Sequence, residues 1–254
     1  MLLFDIKDTQ DHEIAIQEID LYLGALRQNG QILGKEIPLY YKENDESIVA
    51  SCVSIPENIS LNIEYANKYV SKSLNIFKKL SIGHTFEIMG KEVDSYKNCQ
   101  CKSVEYYILY THYLTVKPPL HCGNCFGIIP LYKIPKTYDD EYNDIISWES
   151  DYHACDRLQM NCKVGERFGL QQLNKYSSNL NKNGIEICKR IKNLTGKSVY
   201  YYLYRYLYST TIVKEKKRKC PSCGNEWLLE SKLFELFDFK CEKCTLLSNV
   251  SFGV

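Results

Sequence analysis

Eight of the 12 cysteines fall into two groups with metal-ligand spacing. Near the C-terminus, Cys220-Pro-Ser-Cys223-Gly-Asn-Glu-Trp227 is followed by Cys241-Glu-Lys-Cys244, so two C-x2-C pairs are separated by 17 residues. Two thiolates on one tight knuckle supply half of a tetrahedron and a second knuckle supplies the other half, the coordination that Zn2+ takes in structural sites. Gly224 follows the first knuckle, where chain reversal favours a residue free to adopt positive φ. The intervening stretch is long enough for strands that bring the knuckles together, and the spacing predicts a C-terminal zinc ribbon. A redox C-x2-C is disfavoured, because the first pair does not open a helix within a βαβ unit.

The second group pairs Cys99-Gln-Cys101 with Cys122-Gly-Asn-Cys125, 20 residues further on. Its C-x-C half is less regular than a knuckle. His112 and His121 lie nearby, and either could replace one thiolate; the other alternative is a ribbon that packs without metal. The expectation is two zinc sites, one held by Cys220, Cys223, Cys241 and Cys244 and one by Cys99, Cys101, Cys122 and Cys125. Closed by four thiolates, both would be structural rather than catalytic.

The remaining Cys52, Cys155, Cys162 and Cys188 read as buried small hydrophobes, Cys52 in an apolar strand and Cys155 and Cys162 on one helical face. His153, Cys155 and Asp156 place nucleophile and base types close together, but immediate sequence neighbours on one helix rarely point at one another. No phosphate loop, open metal position or nucleophile–base spacing stands out elsewhere, so no catalytic residue is assigned and a non-enzymatic role is expected.

Tyr200, Tyr202, Tyr204, Tyr206 and Tyr208 alternate, so a strand over 199–208 would place all five rings on one face. Lys214, Lys216, Lys217, Arg218 and Lys219 follow directly before the ribbon. Tyrosine rings beside a cationic stretch suit base stacking and phosphate neutralisation, and Tyr202, Tyr204 and the five basic residues are the candidate nucleic-acid contacts. The alternative is a half-buried core strand followed by a solvated linker. Lysine (26) far outnumbers arginine (6), which argues against bidentate reading of base edges.

The elements that would position these residues begin with Leu2–Lys7 as a strand and a helix carrying Ile16, Ile19, Leu23 and Leu26, stopped near Gly30. Ile37–Tyr41 and Ser47–Ile55 are strand-like around the turn at 43–46, and Pro56 ends the second of them. Ile63, Ala66, Val70, Leu74 and Phe77 mark a second helix, and a short strand follows near Thr85–Met89. This βαββαβ order predicts a ferredoxin-like sandwich over 1–96. Beyond it lie a first cysteine module over 97–136 and a region over 137–213 with helices at 142–162 and 180–194. The ribbon occupies 214–254. The expected class is α+β, with a helical region flanked by two zinc-ribbon-like modules.

Length and composition set the outer limits. With 254 residues, 44% hydrophobic and 25% charged, the chain can bury a substantial core and is not disordered. No apolar run of about 18 residues is present, so no membrane span is expected. Residues 1–8 lack the basic and apolar parts of a signal peptide, and the cysteines suit a reducing compartment, so a cytoplasmic protein is expected. The formal net charge of +1 hides a marked asymmetry: 9 basic against 15 acidic residues in 1–96, and 14 against 3 in 163–219.

Several ordered motifs extend this reading. Pro119-Leu-His-Cys122-Gly-Asn-Cys125-Phe-Gly127, Pro130-Leu-Tyr-Lys-Ile-Pro135, and Trp148 with Asp151-Tyr-His-Ala-Cys155-Asp-Arg-Leu158 come first. Gly165-Glu-Arg-Phe168, Tyr200–Leu203, Cys220–Trp227 and Phe237-Asp-Phe-Lys-Cys241 follow. Together they resemble a functionally uncharacterised bacterial family of zinc-ribbon-containing proteins associated with nucleic-acid binding. The resemblance covers about 99–249 and implies that Cys122 and Cys125 are ligands; it implies no reaction. The function expected is therefore a cytosolic zinc-ribbon protein that binds nucleic acid or a nucleoprotein complex. The alternative is a protein-binding module, such as an immunity protein whose acidic 1–96 covers a cognate toxin.

Overall fold

The computed structural model describes residues 1–91, 93, 95–114 and 116–253. It is a mixed α+β structure with two sheets, and the chain divides into two compact units. The first comprises residues 1–98, 116–118 and 130–143, and the second the remaining described residues.

In the first unit, β1 (Leu2–Asp5), α1 (His12–Gln28), β2 (Tyr40–Lys42), β3 (Asp45–Ser51), α2 (Lys68–Leu80) and β4 (Gly83–Phe86) follow the expected βαββαβ order. The sheet order is β2-β3-β1-β4, with each neighbouring pair antiparallel. Both helices start at capped ends: Asp11 accepts from the N–H groups of Glu13 and Ile14, and Asn67 from those of Tyr69 and Val70. Ile19, Leu23 and Leu26 of α1 and Val70 and Phe77 of α2 bury against Leu2, Phe4 and Val49 of the sheet. That burial is the main force holding the layer together.

The strands are shorter than the apolar runs suggest. β2 and β3 join through a two-residue turn at Glu43-Asn44, with Asn44 at φ +62, so Asp45 belongs to a strand rather than to the turn. β3 ends at Ser51, and Cys52, expected inside it, is exposed.

Residues 130–143 pack within this first unit. Tyr142 is fully buried, donates its hydroxyl to the Ile134 carbonyl at 2.6 Å, and receives Gln28 as acceptor of its N–H at 2.9 Å. Leu131 lies 2.8 Å from where a side chain at Gly30 would begin, and Gly30 has φ +69, so both space and backbone require glycine there.

The second unit contains β5 (Tyr107–Leu109), β6 (Leu120–Cys122), α3 (Asn143–Met160) from its second residue onward, α4 (Glu166–Asn174), α5 (Asn179–Thr195), β7 (Val199–Leu203), α6 (Ile212–Lys216), β8 (Leu228–Leu233), β9 (Phe237–Cys241) and β10 (Leu246–Ser248). These strands form one six-stranded sheet, ordered β6-β5-β7-β10-β9-β8. β7 is parallel to both β5 and β10, and the outer pairs are antiparallel. The two cysteine-bearing hairpins are thus parts of a single sheet rather than modules standing apart on either side of a helical region.

β7 is buried along all five residues. Tyr200 and Tyr202 pack with Ile108, Phe237 and Leu247, while Tyr201 turns the other way, towards Trp148 on α3, with ring centroids 5.9 Å apart. A strand buried on both faces is continuously apolar rather than alternating. The strand expected to reach Tyr208 ends at Leu203, and 214–219, expected as a linker, begins inside α6. Cys155 and Cys188 are buried as expected; Cys162 is exposed, at φ +52 just past α3. Among the described residues, no helix is long and apolar enough to cross a membrane.

Candidate metal centres and basic surface

Both cysteine groups sit at the same end of the six-stranded sheet. Cys122 ends β6 opposite Tyr107 of β5, and Cys241 ends β9 opposite Leu246 of β10. Since β5, β7 and β10 are parallel, these positions share the edge where those three strands begin.

In the first group, the N–H of Phe126 donates to the Cys122 carbonyl at 2.8 Å, closing the knuckle, and Phe126 takes φ +59. The N–H of Gly127 points at Cys125 Sγ at 3.4 Å, and that of Cys101 at Cys99 Sγ at 3.4 Å. Gly123 admits the ring of Tyr106, which would lie 2.2 Å from any Cβ at that position. In the second group, Gly224 at φ +73 donates its N–H to the Cys220 carbonyl at 2.9 Å. The Cys223 and Cys241 sulfurs are 3.7 Å apart.

Within each group the four sulfurs all lie within 4.8 Å of one another, so Cys99, Cys101, Cys122 and Cys125 could hold one metal ion and Cys220, Cys223, Cys241 and Cys244 another. Neither histidine joins the first set. His121 is buried, its Nδ1 2.9 Å from the Phe126 carbonyl and its ring stacked on Phe126, and the His112 ring lies against Tyr110. The backbone N–H of Asn225 draws Cys223 down to about 7, favouring the thiolate that a metal requires. Burial pushes Cys99 and Cys241 up to about 12, so without an ion these sulfurs keep their protons.

The candidate nucleic-acid residues separate into two sets. Lys214, Lys216, Lys217 and Lys219 are exposed. Arg218 is not available: its guanidinium lies over the rings of Trp227 and Phe239, 4.7 and 4.3 Å from their centroids, and donates to Ser248 and Asn249. Tyr202 is 6% exposed and its hydroxyl donates to Asn249 Oδ1 at 2.9 Å, so it is a core residue and cannot stack on a base; Tyr204 is half-buried. The stacking expectation fails at Tyr202 because β7 is central and covered on both faces.

Sequence reasoning missed Arg205, Glu215 and Asn249. Glu215, the one acid among 212–219, is 2% exposed and bound by Arg205. A lone carboxylate inside a lysine run was the signal available. Asn249 accepts from Tyr202 and from the N–H of Arg205 and donates to the Arg205 carbonyl, tying 202–205 to the segment after β10. His153 bonds Thr111 at 2.7 Å and Asp156 accepts the Tyr113 N–H at 3.0 Å, so this pair braces the chain leaving β5.

An uncharacterized protein of Haemophilus influenzae is 39% identical over 229 residues, 89% of this chain and 87% of that protein. The chain belongs to the same family. A second uncharacterized protein of that organism is 38% identical over 168 residues, 66% of this chain and 82% of its own length. Three family models match along the chain: Domain of unknown function (DUF8589) at residues 1–90, Domain of unknown function (DUF2310) at 101–204 and Domain of unknown function (DUF8594) at 210–254. None of these descriptions names a zinc ribbon. No solved structure matches the chain.

Proposed function

We propose that this is a cytosolic, non-enzymatic protein that binds nucleic acid through the surface around α6, on a fold held by two structural zinc ions. The carrying observation is the segregation of charge at 212–219. Glu215 and Arg218 turn inward, leaving Lys214, Lys216 and Lys217 exposed, with no ion pair to any of the three among the described residues. A cationic ledge without internal counter-charge is suited to phosphate.

Zinc fits the donor sets. Four soft sulfur ligands within 4.8 Å of one another suit Zn2+, and each set, closed by four thiolates, would leave no position for a substrate. When bound, zinc would supply cross-links that fasten the ends of β6, β9 and β10. Thiol ligands of this kind persist in a reducing compartment, which supports the cytosolic reading. The first unit reads as ferredoxin-like, supported by its βαββαβ order and its antiparallel β2-β3-β1-β4 sheet.

The test is retention on RNA and DNA as salt is varied. Affinity is expected to fall steeply with salt, because each phosphate contact releases counterions. A salt-insensitive interaction, or no retention on either polymer at low salt, would overturn the reading. Capture of a stoichiometric partner that survives nuclease would replace it with a protein partner, the toxin–immunity alternative included.

A further inference from the structure

Residues 204–208 leave the end of β7 as an ordered, non-strand ledge. The N–H of Tyr206 donates to Asn174 Oδ1 at 2.8 Å, and that of Leu207 to Ser251 Oγ at 2.7 Å. Gly253 passes so close that a Cβ there would sit 1.9 Å from the Leu207 carbonyl oxygen. The ledge is therefore fixed from two sides: by the end of α4 and by the segment after β10.

Aromatic rings line this ledge. Phe252 lies 5.8 Å from Tyr204, and Tyr206 meets Tyr208 edge-on at 5.1 Å. Unlike Tyr202, the outer two are open, with Phe252 and Tyr208 each 64% exposed. The Tyr208 hydroxyl donates to Glu166 at the start of α4, which fixes the ring in place. On the sequence side of α6, the Arg205–Glu215 pair anchors the lysine ledge to the same stretch of chain, at 2.9 Å.

Resting on the nucleic-acid reading above, we infer that the ligand is a single strand bound without sequence preference, its bases stacking on Tyr208 and Phe252 and its phosphates meeting Lys214, Lys216 and Lys217. Rings standing at an exposed edge need bases that are already unstacked, which a single strand offers and a duplex does not. The cations are lysines, compact point charges suited to phosphate, rather than arginines arranged to read base edges. α6, five residues long, is too short to act as a recognition helix in a major groove. Exposed Ile212 and Val213 add apolar surface next to the lysines.

The experiment is fluorescence anisotropy with a labelled oligothymidine of about 20 nucleotides and a duplex of equal length, at low salt and over a salt series. The single strand is expected to bind at least about tenfold more tightly than the duplex, and Tyr208→Ala to weaken it by about 5- to 150-fold, the range for losing one stacked base. Tyr208→Phe keeps the ring but loses the Glu166 bond, and is expected to stay within about threefold of the wild type. Replacing Lys214, Lys216 and Lys217 together with Gln should flatten the salt slope by about 2, near 0.7 per phosphate on a single strand. Unchanged melting temperature and zinc content show that each variant is folded, and Phe252→Ala gives an independent second readout. Preference for duplex, or full affinity in both Tyr208→Ala and Phe252→Ala, overturns this inference and leaves the broader reading standing. Failure to bind either polymer defeats both, and so does binding to phosphatidylcholine–phosphatidylserine vesicles in place of oligonucleotide.

Discussion

Arg205 grips Glu215 with two nitrogens, Nη2 to Oε1 at 2.9 Å and Nε to Oε2 at 3.2 Å. Arg218 approaches the same carboxylate from one turn further on, at 3.5 Å. The carboxylate is all but inaccessible, with its side chain 3% exposed, so the pair is a buried, charge-assisted contact rather than a surface ornament. It joins the segment after β7 to the segment entering the C-terminal cysteine group.

Removing that carboxylate should be expensive. Glu215→Gln leaves two arginines facing an uncharged group in a buried site, and is expected to lower stability by about 3 kcal/mol at neutral pH, measured by urea denaturation. Burial alone would raise the Glu215 carboxyl, but the bonds and charge of Arg205 and the charge of Arg218 hold it below the ordinary glutamate value. A depressed carboxyl stabilises fully above its unfolded value of about 4.3 and loses that contribution as pH falls through its folded value. The gap between wild type and Glu215→Gln should therefore narrow below about pH 4. A constant gap down to acid pH would contradict this.

The two cysteine groups should release metal at different rates. Cys101 and Cys125 are exposed in the first group, whereas Cys220 and Cys241 are buried in the second. Two equivalents of zinc per chain are expected, leaving in two phases when a chromogenic chelator is added. Cys125→Ser should abolish the fast phase alone, and Cys241→Ser the slow one. Metal removal should also lower the melting temperature, since ligation energy here is folding energy. One phase with both equivalents would count against the difference in access.

Gly184 on α5 is held by its neighbours. A Cβ there would lie 2.2 Å from the Tyr201 ring and 2.8 Å from Trp148 Nε1. Gly184→Ala is expected to destabilise by about 1–3 kcal/mol through overpacking, despite alanine's better helix propensity. A stabilised variant in thermal denaturation would show that α5 can shift away from β7.

Tyr202 and Tyr208 are similar in sequence context and opposite in burial, at 6% and 64% exposed. Tyr202→Ala should lose about 3–5 kcal/mol by emptying core volume, and Tyr208→Ala no more than about 0.5 kcal/mol. Equal losses in denaturant titrations would mean that the ledge beyond β7 is packed as tightly as the strand.

Spacing was enough to group the cysteines. Local chain reversal at Gly224 and Phe126 brings C-x2-C sulfurs together whatever the rest of the fold does, and few other arrangements satisfy two such pairs. The βαββαβ order was legible for a similar reason: the apolar periods of α1 and α2 and the Glu43-Asn44 turn are written within short windows. Exposure was not legible. Alternating tyrosines look the same on a half-open strand and on one buried on both faces, and only the insertion of β7 between β5 and β10 separates Tyr202 from Tyr208. Nor does a run of basic residues reveal which cations face solvent; Arg205, ten residues upstream, draws Glu215 inward, and Trp227 and Phe239 cover Arg218. Metal-ligand spacing is a local property of the chain, whereas the availability of a ring or a charge depends on partners that only tertiary packing brings near.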